Sequence, residues 1–446
     1  MLFEQMKNAL VAAATEAGIE QYEIYYQVGE SISAETLKDD ISAFSSSVSG
    51  GICFRCIVNG KMGYASSELL TEDAMQELVK NAVSNAACID SEDEVFIFEG
   101  SPEYAKIDAG EVKLVDAVTI RDTALRLQKE TYAQSDKVAD GTQSVAMSSV
   151  GEVRLYNSCG LSLSNRTGMS GAYAAAVVRD GDEAQEDFDF AVGETFEDVK
   201  ETAANAVRRA LDKMGAGVAA SGKYNIVFDG KQFRQFLAVF SSAFSAKNAQ
   251  LGLSLLAGKE GEQVAAPFVN IIDDPMREGS PIKTPFDGEG VATARRAVVE
   301  NGVLKTMIYD LTTAKKAGVS STGNGQKGSY AAPVSIAPYN FGLMAGDCDL
   351  DALLSKAGEG IYITECKGFH AGANAITGDF SIESAGFMIR DGKLAEPVKS
   401  FTVAGNFFQL IKDIDTLGNE VRWGIPGKTV FGAPDVLVRD MSVAGK

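Results

Sequence analysis

Histidine is nearly absent, with His370 the single one in 446 residues. A zinc peptidase of the H-E-x-x-H kind needs two imidazoles one helical turn apart, a further ligand and a carboxylate base, so this chain cannot build that centre alone. A Ser-His-Asp or Cys-His triad would have to use the same His370, and no G-x-S-x-G nucleophile elbow accompanies it. Basic charge is also short, at 41 Lys and Arg against 61 Asp and Glu, for a formal net charge of -20 and a pI near 4.6. That balance argues against broad electrostatic capture of DNA, RNA or an anionic membrane, although a local basic patch stays compatible with it.

Cysteine is sparse too, and the six residues Cys53, Cys56, Cys88, Cys159, Cys348 and Cys366 do not suggest a disulfide-stapled secreted fold. Cys53 and Cys56 form a C-x-x-C, but GICFRCIVNG reads as a strand entering a turn. A thioredoxin-like pair belongs at a helix N-terminus, and a zinc knuckle needs a second pair, so reduced thiols are expected. No run approaches about eighteen consecutive apolar residues, and MLFEQMKNAL carries acid without the basic start of a signal peptide. The expectation is a cytoplasmic protein without membrane or nucleic-acid partners.

What is present is ordinary globular composition, 45% hydrophobic and 23% charged. Leu2, Phe3, Met6, Leu10, Ala13 and Ala17 recur at helical spacing before Gly18 stops the pattern. YEIYYQVGESISAETLKDDISAFSSS reads as short strands, and GICFRCIVNGKMGYAS as a hairpin turning at Asn59-Gly60. A second helix is set by Met75, Leu78, Val79, Ala82, Val83 and Ala86, with Thr71 as its N-cap. Residues 95–185 read as mixed short strands and polar segments, followed by a long helix from about Phe196 to Met214, where Thr195 and Asp198 resemble a capping box.

Small residues in GAGVAASGKY interrupt the periodicity, placing a division near 218 between an N-terminal domain, 1–218, and a C-terminal domain, 219–446. The second half opens with the strand YNIVFDG and a helix carrying Phe233, Phe236, Leu237, Phe240 and Phe244 on one face. Beyond it, Asn301-Gly302 and Asp391-Gly392 mark hairpins whose flanks favour antiparallel pairing. The fold class is therefore α+β, with a mixed N-terminal domain and an antiparallel, strand-rich C-terminal domain.

Motif chemistry is thin. His370 lies in TECKGFHAGANAITGDFS and reads first as a structural or subunit-contact residue, then as part of a peptide groove, and last as a metal ligand with Cys366 or Asp379. Asp379, set among small residues and turn formers, is expected to be buried or N-capping. STGNG at 321–325 is expected to be a tight loop, with backbone amides for an anion as the lesser reading. The paired acids Asp273-Asp274, Asp347 with Asp349, and Glu183 with Glu186 and Asp187 read as solvated surface. Strand-to-helix G-x-G-x-x-G and G-x-x-x-x-G-K-[ST] signals are absent.

Four segments in order carry a resemblance: FDGEGVATARRAVVENGVLKTMIYDLTTAKKAG at 286–318, STGNG at 321–325, GFHAGANAITGDFSIESAGFMIRDGKL at 368–394 and FTVAGNFFQLIKDIDTLGNE at 401–420. Together they resemble the PmbA/TldD family, also described as modulator of DNA gyrase or peptidase U62, and more closely its PmbA or TldE branch. The resemblance implies that a TldD-type subunit holds zinc through a His-Glu-x-x-x-His helix and a later cysteine, while the PmbA-type subunit pairs with it. Here the matching helix, QFRQFLAVFSSAFSAKN, has neither His nor Glu, with Val239 to Phe244 where the ligand-bearing turn would fall. The matching stretch LGNEVRWGIPGKTVFGAPDV has no Cys.

The implied role is a non-catalytic partner in a heteromeric zinc protease acting on flexible peptides, with the zinc in a TldD-like partner and no cofactor or catalytic residue in this chain. His370, Asn374 and Asp379 are groove or interface candidates only. Two other readings remain: a standalone peptide-binding or scaffolding homodimer, and an autonomous hydrolase built around His370 and Asp379.

Overall fold

The computed structural model describes residues 2–90, 94–107 and 112–446. Residues 108–111 of the segment read as mixed strands lie outside the described residues. The N-terminal half is one six-stranded antiparallel sheet in the order β3-β2-β1-β4-β5-β6. Its strands are β1 Tyr22–Leu37, β2 Asp40–Val58, β3 Lys61–Ser67, β4 Gln143–Asn157, β5 Ser162–Asp180 and β6 Glu183–Val192. Its helices are α1 Phe3–Glu16, α2 Glu72–Ala86, α3 Ala117–Ala133 and α4 Val199–Asp212.

This sheet serves two separate cores. At one end α1 and α2 place Met6, Leu10, Met75, Leu78 and Val79 on Ile24, Ile52, Phe54 and Cys56. At the other, α3 and α4 pack Ile120, Leu127, Ala203 and Val207 on Ile32, Ala34, Ala172, Ala174 and Ala176, small residues that let the helices lie close. Between the two, β2 runs exposed through Ser45, Ser46 and Ser47. The strands are thus much longer than the short ones expected, since one strand crosses both cores and a solvated middle.

Thr71 caps α2 by accepting from Ala74 N, and Asn59-Gly60 turns β2 into β3 with both residues at positive φ. Helix α3 contradicts the reading of residues 95–185 as strands and polar segments. Half of its buried face is Thr123, Gln128 and Thr131, so its apolar stripe is faint. Helix α4 begins at Val199, later than expected, because Phe196 is buried at φ 51 and Asp198 makes no side-chain cap bond.

In the C-terminal half, a seven-stranded sheet runs β18-β21-β8-β15-β16-β17-β7, with β21 also pairing with β17. These are β7 Gly217–Val218, β8 Gly222–Phe228, β15 Gly360–Lys367, β16 Asp379–Arg390, β17 Lys393–Asn406, β18 Ile414–Leu417 and β21 Val436–Ala444. A second sheet, β11-β10-β9-β14-β20-β19, uses β9 Ile271–Asp273, β10 Arg296–Glu300, β11 Val303–Leu304, β14 Asn340–Leu343, β19 Arg422–Trp423 and β20 Val430–Ala433. A small ribbon pairs β12 Gly325–Lys327 with β13 Val334–Ile336. Most pairings are antiparallel as expected, but β8–β15, β14–β20 and β7–β17 are parallel, because these partners are joined by long excursions through other elements.

The helices of this half are α5 Gly230–Phe240, α6 Ala246–Gln250, α7 Leu311–Ala317, α8 Leu350–Ala357, α9 Phe369–Gly372 and α10 Phe407–Leu410. Strand β8 is buried on both faces, Ile226 and Phe228 toward the main core and Val227 toward α8, which accounts for its unbroken apolar run. Asn301-Gly302 and Asp391-Gly392 close their hairpins with positive φ, as their composition predicts. Among the described residues no helix is long and apolar enough to cross a membrane.

Candidate functional site

Helix α5 is the obvious place to look for chemistry, since the resemblance puts the decisive residues on it. Asp229 caps it by accepting from Lys231 N at 2.6 Å, and its other oxygen accepts from Tyr362 Oη at 3.0 Å and Arg422 Nη1 at 2.8 Å. Asp435 receives Gly230 N at 2.7 Å, so two carboxylates and one guanidinium fix the start of the helix. Its inward face is aromatic: Phe236 meets Phe369 and Phe380 at 4.9 Å each, and Phe240 stacks on Phe407 at 4.5 Å. The 3-10 turn that follows, Ser241–Phe244, buries Phe244 against Phe341. Arg234 Nη1 donates to Trp423 O, joining α5 to the stretch around β19 and β20.

The sequence-derived candidates lie elsewhere on the surface. His370, in the single turn α9, is exposed, and no hydrogen bond links it to Asp379. Asn374 is exposed and shapes its own loop, with Oδ1 accepting from Ile376 N and Thr377 N. Asp379 is neither buried nor an N-cap, contrary to expectation: it opens β16 exposed to solvent and accepts from Asn406 Nδ2 at 2.9 Å, which holds its carboxyl below the ordinary range. Cys366 is buried in the main core, where burial pushes its thiol up to about 12. The structure therefore does not assemble His370, Cys366 and Asp379 as a ligand set.

A cavity of about 810 Å³ opens between the two halves of the chain, and none of the three candidates lines it. The N-terminal sheet contributes Glu23, Arg55, Met62 and Tyr64; the C-terminal half contributes, among others, Lys247, Glu289, Asp310, Lys327 and Val334. Glu23 and Arg55 form a buried pair, Nε to Oε1 at 2.7 Å. Glu289 accepts from Leu311 N at 2.8 Å, and Asp310 caps α7 through Thr313 N at 2.7 Å. Lys327 is only 6% exposed, with Nζ 3.3 Å from Tyr64 Oη, 3.9 Å from Cys53 Sγ and 4.9 Å from the centres of the Tyr25 and Tyr64 rings.

Beneath the cavity, Asp287 accepts from Glu289 N, Val291 N and Gly325 N, each at 2.9 Å. The STGNG loop thus spends its Gly325 amide on an internal carboxylate, and Thr322 and Asn324 are likewise turned inward. Burial raises Asp287, and burial with the Asp287 charge raises Glu289, so the pair keeps a proton far above the usual carboxylate range. Asp273 also departs from the solvated reading: it is 2% exposed, bonded to Asn324 Nδ2 and Tyr339 N, and pushed up to about 6 by burial. Sequence reasoning missed the cavity because its residues are scattered from 23 to 334; the acids of FDGEG, set between glycines, were the available signal. Cys53 and Cys56 point to opposite faces of β2, and both are free thiols.

A long sheet shared by two cores, an aromatic-faced helix and a charged inter-domain cavity make up an α+β chain that three family models match along its length. These are PmbA/TldA metallopeptidase domain 1 over residues 22–86, the central domain over 111–214 and the C-terminal domain over 221–445. The chain belongs to the PmbA/TldD family. It is 30% identical to an uncharacterised Methanocaldococcus jannaschii protein, over 88% of this chain and 90% of that one, and 23% identical to metalloprotease PmbA of Escherichia coli O157:H7, over 100% and 96%. A Thermotoga maritima structure described as a modulator of a DNA gyrase superposes with a TM-score of 0.88 at 30% identity, covering 99% of this chain and 100% of that one. TldE from Thermococcus kodakarensis shares the fold, with a TM-score of 0.89 at 22% identity over 99% and 100%.

A metallopeptidase family implies a metal, and the residues present do not fit one. Among the described residues, no group of three or more His, Cys, Asp or Glu side chains is arranged to hold a metal ion. The buried positions of α5 are Gly230, Leu237 and three phenyl rings packed against other phenyl rings, whose side chains offer no lone pair.

Proposed function

We propose that this chain is a non-catalytic, TldE-like subunit of a zinc metalloprotease complex that acts on flexible peptides in the cytoplasm, with the zinc carried by a TldD-like partner. The carrying observation is the donor-free aromatic face of α5, together with the bond by which Arg234 of the same helix reaches Trp423 O in the cysteine-free stretch at β19 and β20. The two segments that would share a metal in a TldD-type chain are therefore neighbours in this fold, and both have exchanged donors for packing. A subunit of this kind forms chamber wall, aligns a peptide and stabilises its partner without donating a ligand. The division into domains 1–218 and 219–446 is part of this reading, although β7, Gly217–Val218, pairs with β17 of the C-terminal sheet. Exposed His370, Asn374 and Asp379 belong to the surface that meets the partner.

The test is zinc content, peptidase activity and mass by light scattering for this chain alone and after mixing with a His-Glu-x-x-x-His-bearing family member from the same genome. The reading expects zinc and cleavage only in the mixture, together with a heteromeric mass. Zinc-dependent cleavage by the isolated chain would overturn it, and a stable homodimer that ignores the second chain would favour the scaffolding alternative.

A further inference from the structure

Among the residues lining the inter-domain cavity is a buried lysine with no carboxylate in ion-pair range. Around the cavity wall, Arg55 is matched by Glu23, Asp310 is committed to the N-terminus of α7, and Glu289 accepts a backbone amide, its carboxyl raised by burial and by the Asp287 charge. Lys327 is different: among the described residues no carboxylate lies within 4.0 Å of its Nζ, although the side chain is 94% removed from solvent. An ammonium buried without a carboxylate in contact is costly, and the more distant Glu23 and Glu289 charges with two tyrosine faces offset part of that cost. The Tyr25 and Tyr64 rings occupy two sides of the ammonium. Lys327 also lines the cavity, and Lys247, exposed on the same wall, adds a second cation with no ion pair among the described residues. In a chain of net charge -20, this cationic recess runs against the overall field.

The rest of the lining narrows the anion. At about 810 Å³ the space lies within the range of pockets that take organic ligands and far exceeds one inorganic ion. Its wall includes Met62, Leu251, Pro333 and Val334, which suit apolar side chains. A tetrahedral phosphate is best held by several converging amides, yet the nearby STGNG loop has given its Gly325 amide to Asp287. A buried ammonium and a second, exposed one beside these apolar side chains match a carboxylate attached to an apolar chain.

Building on the reading of this chain as a peptide-handling subunit, we propose that the cavity holds the free C-terminal carboxylate of a peptide, with Lys327 Nζ as its charge partner and the Met62–Val334 wall receiving the preceding side chains. The site anchors one end of a flexible substrate on the non-catalytic subunit.

The test uses the full chain without a partner, labelled with ¹³C at its methionine methyls, with the Met62 signal assigned through Met62→Leu. Acetyl-Ala-Ala-Leu is titrated as the free acid and as its C-terminal amide, with inorganic phosphate as a third probe. The acid is expected to shift Met62 and to bind at least tenfold tighter than the amide, and Lys327→Met is expected to bring the acid down to the level of the amide. Equal binding of acid and amide, an unmoved Met62, or phosphate displacing the acid at equal concentration would each overturn the assignment. Should Lys327→Met fail to fold, the acid-to-amide ratio in the unmodified chain still decides. Because no second subunit is present, failure here is separable from failure of the subunit reading, which is judged by zinc, cleavage and complex mass.

Discussion

Glu289 illustrates how one buried side chain sets a pH dependence. An unfolded glutamate ionises near pH 4, whereas in the fold burial and the Asp287 charge keep Glu289 protonated to higher pH. The native state therefore holds this proton more tightly than the unfolded chain does. Its stabilising contribution is complete below about pH 4 and is lost as pH rises through the folded-state value. Glu289→Gln keeps an oxygen for Leu311 N and removes the titration. The variant should match the wild type in denaturant unfolding at pH 4 and exceed it at pH 8.5, by about 1.4 kcal/mol for every tenfold by which the fold had tightened proton binding. Parallel stability curves would show that Glu289 ionises freely. Gln128 makes a second residue-scale case: 2% exposed, it donates to Lys38 O and Thr142 O and accepts from Ser144 Oγ. Gln128→Leu leaves these groups unpaired and should cost about 2–4 kcal/mol despite raising the hydrophobicity of α3.

At the scale of elements, the turns separate conformational strain from crowding. Gly60 and Gly302 both sit near φ +75, but a Cβ on Gly60 meets open space while one on Gly302 falls 2.5 Å from the carbonyl oxygens of Ala265 and Ala266. Gly60→Ala should cost about 1–2 kcal/mol in thermal unfolding, and Gly302→Ala clearly more; equal costs would mean the loop at 265–266 yields freely. Both turns were legible, because Asn-Gly needs no tertiary information to prefer left-handed dihedrals. The face of α5 was equally plain, since large apolar residues at helical spacing admit one arrangement. Helix α3 was hidden by polar groups that satisfy each other inside, and the length of β1, β2, β4 and β5 was hidden by the serine-rich middle that separates two cores. The cavity was illegible for a further reason: Arg55 and Lys327 lie far apart along the chain, and only the docking of the two halves makes them neighbours.

That docking is a property of the whole molecule, and Asp189 is one of its fastenings. A single oxygen, Oδ1 of Asp189 on β6, lies 2.9 Å from Arg209 Nη1 on α4 and 3.2 Å from Lys231 Nζ on α5, so one carboxylate ties the N-terminal sheet to the first helix of the C-terminal half. Burial and the Arg209 charge already lower the Lys231 ammonium from its ordinary range. Asp189→Ala would leave two partly buried cations facing each other without their counter-ion, a loss of about 2–4 kcal/mol by the behaviour of broken partly buried pairs. The double change Asp189→Ala with Arg209→Met removes the repulsion as well, and should recover part of that loss although it deletes one more ion-pair member. Calorimetry distinguishes a local from a global effect. If the halves depend on this contact, the single variant splits unfolding into two transitions and the cationic recess around Lys327, built from both halves, loses its protection from amine-modifying reagents at the lower one. A uniform shift of one transition would place the coupling in the remaining interface, where Tyr64 bonds Tyr330 O and Tyr104 bonds Gly290 O independently of Asp189.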